Sequence, residues 1–165
     1  MIYSKQIMKH FLRPKNKGRM KNPDAVGKAG NLVCGDVMWI YVKFGKKKGE
    51  LYIKDVKFET FGCVAAIASS SIVTDLVKGK TIKEAMKIDK NKIVKSLGNL
   101  PPIKLHCSAL AVNALSEAIY DYFLKNKKPI PKELKKRHER IMKEKKIIEE
   151  KYKDWIKAEE KAHQD

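Results

Sequence analysis

Residues 51–77 read LYIKDVKFETFGCVAAIASSSIVTDLV, and within them the hydrophobic pattern changes once. Up to Phe61 the residues are β-branched and aromatic, with Leu51, Ile53, Val56 and Phe58 available for burial, the composition of a strand. Past Gly62-Cys63 the chain continues Val64-Ala65-Ala66-Ile67-Ala68, then Ile72, Val73, Leu76 and Val77, a helical run closed by Gly79. The stretch therefore reads as a strand feeding directly into a helix. It also leaves Cys63 at the helix entrance, where unpaired amides and the macrodipole favour a thiolate.

Upstream, residues 37–44 alternate in two sets, Val37, Trp39, Tyr41 and Lys43 against Met38, Ile40, Val42 and Phe44, one of which must cover a core. Gly45-Lys46-Lys47-Lys48-Gly49 supplies turn chemistry, so residues 37–61 are expected to form an antiparallel hairpin. Cys34 and Cys63 flank that hairpin. Antiparallel pairing brings its outer ends together across the 28 intervening residues. Nearer the start, Ile7, Met8, Phe11 and Leu12 follow Ser4 as a short amphipathic helix ending before Pro14. Residues 13–28 are rich in Gly, Pro, Asn and Lys and predict an irregular, exposed, mobile segment, with a short strand over 29–33.

Downstream, Thr81-Ile82-Lys83-Glu84 has the form of a capping box, and residues 88–97 suggest a further helix. Leu100-Pro101-Pro102-Ile103-Lys104 is expected to be extended and exposed, because proline interrupts regular helix. From Ser108 a second strong helix places Ala111, Leu115, Ala118, Ile119 and Tyr122 near one face, with His106 and Cys107 at its start. Beyond Pro131 the chain is mostly Lys and Glu. Leu134, Ile141, Ile148, Trp155 and Ala162 recur every seven positions, but the companion row is His138, Lys145, Tyr152 and Glu159. This predicts a long charged helix lying along its own domain, with a partner-binding or self-associating helix as the alternative.

Composition bounds the function. With 165 residues, 43% of them hydrophobic, the chain suits one folded body with an appendage. Three cysteines and no secretory leader argue for reduced thiols in the cytoplasm and against a disulfide framework. The longest low-charge run, residues 61–74, is short of a bilayer span, so no membrane role is expected. The net charge of +18 raises nucleic acid as a partner. The excess is diffuse, +12 over residues 1–124 and +6 over 125–165, without an aromatic-interleaved basic strand or recognition helix, so nucleic acid is disfavoured. No GxGxxG, P-loop, GxSxG or HExxH pattern occurs.

Cys34, Asp36, Cys63, His106 and Cys107 form a soft-to-borderline donor set suited to iron with sulfide or to Zn2+. Five candidate ligands exceed the four of a closed structural zinc site, which favours a site where one ligand exchanges. A nucleophilic Cys107 activated by His106 is the rival reading.

These residues lie in motifs that resemble the iron-sulfur cluster assembly scaffolds of the IscU type, found also as the N-terminal domain of NifU. The resemblance rests on Tyr3-Ser4 with Pro14-Lys15-Asn16, Cys34-Gly35-Asp36-Val37-Met38, Phe58-Glu59-Thr60-Phe61-Gly62-Cys63, Ala66-Ile67-Ala68-Ser69-Ser70-Ser71, Gly79-Lys80-Thr81, Leu100-Pro101-Pro102-Ile103-Lys104 and His106-Cys107-Ser108. It covers about residues 2–125. It implies a small α+β fold with a three-stranded antiparallel sheet and helices on one face, hence a scaffold domain at 1–128 and a charged helical extension at 129–165.

The resemblance also implies a non-enzymatic scaffold. Such a protein accepts persulfide sulfur from a cysteine desulfurase, binds iron from an iron donor, uses an electron donor, builds a labile 2Fe-2S cluster and passes it to apo-proteins. Carried onto this chain, it makes Cys34, Cys63 and Cys107, with Asp36 or His106, the cluster or metal ligands, and Cys107 the main persulfide acceptor. Leu100, Pro101, Pro102, Ile103 and Lys104 match the segment recognised by an Hsp70-type chaperone working with a co-chaperone. The family's usual Gly-Ser after the middle cysteine is here Val64-Ala65, which stiffens the Cys63 loop. The alternatives are a Zn2+-bound sulfur-transfer protein that stimulates a desulfurase and a basic nucleic-acid-binding protein.

Overall fold

The computed structural model describes residues 2–30 and 35–162. In chain order it holds α1 (Lys5–Leu12), β1 (Ala25–Gly30), β2 (Val37–Lys47), β3 (Glu50–Phe61), α2 (Val64–Val77), α3 (Ile82–Met86), α4 (Lys90–Ser96), a 3-10 turn (Pro102–Lys104), α5 (Leu105–Lys125), α6 (Lys132–Lys151) and α7 (Lys153–Ala162). The three strands form one antiparallel sheet in the order β1-β2-β3.

The hairpin's buried face is the even set of β2: Met38, Ile40, Val42 and Phe44 are buried together with Ile53, Val56 and Phe58 of β3. Ile53 and Val56 are three apart, an odd spacing that a regular strand would send to opposite faces. A bulge resolves the conflict: Lys43 pairs with Asp55 but Phe44 pairs with Ile53, so Lys54 is the extra residue. The turn is tighter than the glycine pattern suggests. β2 runs on to Lys47, and only Lys48 and Gly49, both with positive φ, make the connection.

All the helices that cover the sheet do so on this face, with α5 across β1 and β2 and α2 against β3. β1 and α5 approach backbone to backbone at Gly27, where a Cβ would lie 1.9 Å from the carbonyl oxygen of Ala114. Helix α2 is buried nearly all round, as its Ala, Ser and Ile content requires. Its hydroxyls anchor the N-terminal segment: Ser71 Oγ bonds His10 Nδ1 at 2.8 Å and accepts from Lys15 N at 2.9 Å. On α1, capped by Ser4 as expected, it is therefore Ile7 and His10 that are buried, while Leu12 is exposed.

Two further expectations are corrected. The irregular segment stops at Asp24, and β1 starts at Ala25, ahead of the strand expected over 29–33, whose residues 31–33 lie outside the described residues. What precedes it is not loose: Gly18 N donates to Phe58 O and Phe58 N donates to Asn16 O, so the segment covers the outer edge of β3. Residues 102–104 form a 3-10 turn running straight into α5, because proline is compatible with the first turn of a helix. The long charged C-terminal helix is present as expected, as α6, and α7 follows it after a break at Tyr152.

Helix α6 runs back along α5. Leu134 is fully buried, and Arg137 donates to Met86 O at 2.5 Å and to Ser116 Oγ at 3.4 Å. The His138 ring stacks on Tyr120 at 3.8 Å, with Nδ1 3.0 Å from Glu117. Farther along, Ile141 and Ile148 face Ala29, Val37 and Leu110 across a cleft of about 630 Å3 that His106 also lines. The side chains of Trp155 and Ala162, the end of the sequence stripe, lie outside the described residues. No helix among the described residues is long and apolar enough to cross a membrane.

Candidate functional site

Three chain segments meet where the sheet gives way to the helices. Asp36 immediately precedes β2, Cys63 is the N-cap of α2, and His106 and Cys107 lie in the first turn of α5. The hairpin register, with Val37 opposite Phe61, carries Asp36 to the level of Gly62 and Cys63. The packing of α5 on β1 and β2 then brings its N-terminal turn to the same end.

The resulting distances are short. Cys63 Sγ lies 3.7 Å and Cys107 Sγ 3.5 Å from Asp36 Oδ2, each placed to donate its S–H to the carboxylate. The two sulfurs are 3.6 Å apart, and His106 Nε2 is 3.5 Å from Cys107 Sγ. Donor atoms of Asp36, His106 and Cys107 all fall within 4.8 Å of one another. Cys34, the remaining sequence-identified donor, lies outside the described residues.

Burial divides the two described thiols. Cys63 is half-buried, while Cys107 is fully buried, and both are free. That burial, reinforced by Cys63 and Asp36, holds the Cys107 thiol well above its ordinary range. At Cys107, desolvation and the neighbouring Cys63 and Asp36 act against the thiolate that a helix start favours. The positive charge at hand is Lys104, whose own pKa is raised, mainly by Cys63 with further help from Cys107, Tyr3 and Asp36, against some desolvation.

The approach to the site is apolar and exposed. Phe61 and Ile103 are about three-quarters exposed, and Phe61 meets Trp39 edge to face at 5.9 Å. Within the Leu100–Lys104 segment Leu100 is buried, while Pro102 and Ile103 are exposed. Sequence reading missed two contributors to this end of the sheet. Thr60 Oγ1 donates to Val37 O at 2.8 Å, and Gly62 lies so close beneath Asp36 that a Cβ there would be 3.3 Å from Asp36 Cγ and 2.7 Å from Ala66 Cβ. Only the packing reveals them, because a strand threonine and a turn glycine are ordinary in sequence.

Comparison with known proteins places this arrangement. The family described as the NifU-like N terminal domain matches residues 2–129. Iron-sulfur cluster assembly scaffold protein IscU 1 of Archaeoglobus fulgidus is 50% identical over 127 residues, covering 77% of this chain and 80% of the relative. The protein named as the IscU scaffold of Aquifex aeolicus is 42% identical over 123 residues, 74% of this chain and 77% of that one. Among solved structures, FiSufU of Fervidobacterium islandicum, described as an iron-sulfur cluster assembly scaffold for the SUF system, superposes with a TM-score of 0.59 at 31% identity, over 72% of this chain and 97% of its own. An N-terminal NifU-like protein of Brucella abortus shares the fold, with a TM-score of 0.57 at 21% identity, over 75% of this chain and 96% of that one.

Proposed function

This chain belongs to the NifU-like N-terminal domain family, and on that premise we propose that it is a scaffold on which an iron-sulfur cluster is assembled and from which it is passed on. The observation that carries the reading is the spacing of the donors. A tetrahedral metal with bonds of about 2.0–2.3 Å places its ligand atoms roughly 3.3–3.8 Å apart. The Asp36–Cys63, Asp36–Cys107, Cys63–Cys107 and His106–Cys107 separations are 3.7, 3.5, 3.6 and 3.5 Å. Four of the six donor-to-donor separations thus lie at coordination spacing, and the donor atoms of Asp36, His106 and Cys107 form a set within 4.8 Å of one another.

In this reading Cys34, Cys63 and Cys107, with Asp36 or His106, hold the iron and the growing 2Fe-2S cluster, which is cargo. Cys107 is the principal sulfur acceptor. Its thiolate attacks the outer sulfur of a cysteine desulfurase's persulfide, the donor's S–S bond breaks, and the donor leaves as a thiolate. Two electrons from a reductant then release the sulfur as sulfide for the cluster. Cys107 is buried, so this step requires the Cys63 turn or the first turn of α5 to open, and an incoming cation supplies the charge that stabilises the thiolate. Asp36, a hard ligand among thiolates, keeps the cluster exchangeable.

The proposed partners are a desulfurase, iron and electron donors, apo-proteins, and an Hsp70-type chaperone with its co-chaperone acting on Leu100–Lys104, where Pro102 and Ile103 are exposed. Residues 1–128 are the scaffold domain and 129–165 an extension. The chain acts as a scaffold without turnover, and the cytoplasm, which keeps thiols reduced, suits the assignment. A second reading uses the same donors for a resting Zn2+, since carboxylate, imidazole and thiolate are all zinc ligands, with sulfur relay instead of cluster assembly.

Anaerobic incubation with iron, cysteine and a desulfurase tests the choice. A 2Fe-2S chromophore that moves to an apo-ferredoxin supports the scaffold. Persulfide on Cys107 with retained Zn2+ and no chromophore replaces it with the sulfur relay.

A further inference from the structure

The described ligand candidates sit at a strand end and at helix starts, so something must fix Asp36 relative to Cys63. No described hydrogen bond from backbone or hydroxyl reaches the Asp36 carboxylate; the described partners of its Oδ2 are the two thiols. What holds its backbone is the next residue. Thr60 Oγ1 donates to the carbonyl of Val37 at 2.8 Å, a side-chain bond from β3 onto the first residue of β2. Thr60 pairs with Met38 in the ladder, one step from the end, so its hydroxyl bond reaches diagonally past its own partner towards Asp36.

The same hydroxyl shapes the floor of the site. An ideal Cβ on Gly62 would meet Thr60 Oγ1 at 3.2 Å and Asp36 Cγ at 3.3 Å, so hydroxyl and carboxyl carbon flank the same glycine Cα. Thr60 is half-buried there. We propose that Thr60 is a positioning residue for the Asp36 carboxylate: its bond to Val37 O pins the Asp36 end of β2 to the Gly62-Cys63 turn, and so sets how Asp36 shares a metal with the two thiols.

The proposal rests on the reading of Asp36 as a ligand and gives that ligand a support. Groups that orient a metal's ligands are typically worth about 10–100-fold in metal affinity. A valine at position 60 preserves shape and strand preference while removing the donor, and a serine restores the hydroxyl without the methyl.

The test compares the full-length wild type, Thr60→Val and Thr60→Ser in two states. In the metal-free chain, amide hydrogen exchange at Val37, Gly62 and Cys63 is expected to accelerate in Thr60→Val and to return to the wild-type rate in Thr60→Ser, with α4 and α5 unchanged in all three. With Co2+ as the probe metal, Thr60→Val is expected to weaken binding about tenfold and to shift the cobalt d–d bands, whereas Thr60→Ser keeps both within about twofold of wild type. Unchanged exchange at these amides in Thr60→Val, or an unchanged cobalt spectrum and affinity, overturns the proposal. Failure of wild type itself to take Co2+ or a cluster overturns the ligand reading instead, and the exchange comparison then still decides whether Thr60 pins this end of the sheet.

Discussion

The sulfurs of Cys63 and Cys107 lie 3.6 Å apart although 44 positions separate the two residues. A disulfide needs them at about 2.05 Å, so the two side chains must turn towards each other. Treating the metal-free chain with diamide, which takes up the two thiol hydrogens, is expected to join Cys63 to Cys107. Peptide mapping checks this, and prior loading with Zn2+ should suppress it. Two free thiols after oxidation would show that the site is more open in solution.

Asp36→Ala removes the hard ligand and the acceptor shared by both thiols. Cluster transfer to an apo-ferredoxin should slow on the order of tenfold while assembly still proceeds. Equal or faster transfer would contradict the role given to the carboxylate.

Gly27→Ala tests how the site's platform is held. The added methyl would lie 1.9 Å from Ala114 O and 2.4 Å from Ala118 N, both backbone atoms that cannot swing aside. Separating β1 from α5 should cost about 3 kcal/mol, seen as a lower urea midpoint.

His10 gives the fold an acid-sensitive anchor. Burial, the largest influence, lowers its pKa, Asp75 opposes the shift, and Lys15 and Lys9 add to it. The unfolded chain therefore takes up this proton first, near pH 6.5, while the folded chain resists. Stability from this group is complete above that value and falls as the pH drops below it towards the lower folded value. Urea melts at pH 8 and pH 5 should show the loss, and His10→Gln should reduce the slope. An identical slope in the variant would remove His10 from the account.

Leu134→Ala addresses the attachment of α6. Emptying a fully buried leucine should cost about 3 kcal/mol, or roughly hundredfold faster local exchange. If residues 129–165 are an extension, amide exchange should rise along α6 while α2 and the sheet keep their protection. A cooperative loss across the whole chain would make α6 part of the scaffold domain.

What the sequence determined by itself was local. The change of period at Gly62-Cys63, the Ser4 cap, the Thr81-Glu84 capping box and the odd spacing of Ile53 and Val56 are set by neighbours within a few residues, and each had its counterpart in the fold. The motif residues Asp36, Cys63, His106 and Cys107 were legible for the same reason, as residue types in distinctive short contexts. β1 was misplaced because Ala-Val-Gly-Lys-Ala-Gly has little strand preference of its own: it is a strand because Gly27 lets α5 lie directly on it. The break at Tyr152 and the docking of α6 through Arg137 and His138 likewise depended on partners distant in sequence. Only the tertiary structure decided that Cys107 is buried beside a carboxylate and a second thiol, surroundings that act against the thiolate its helix start favours. Desolvation belongs to the assembled core, and no stretch of residues carries it alone.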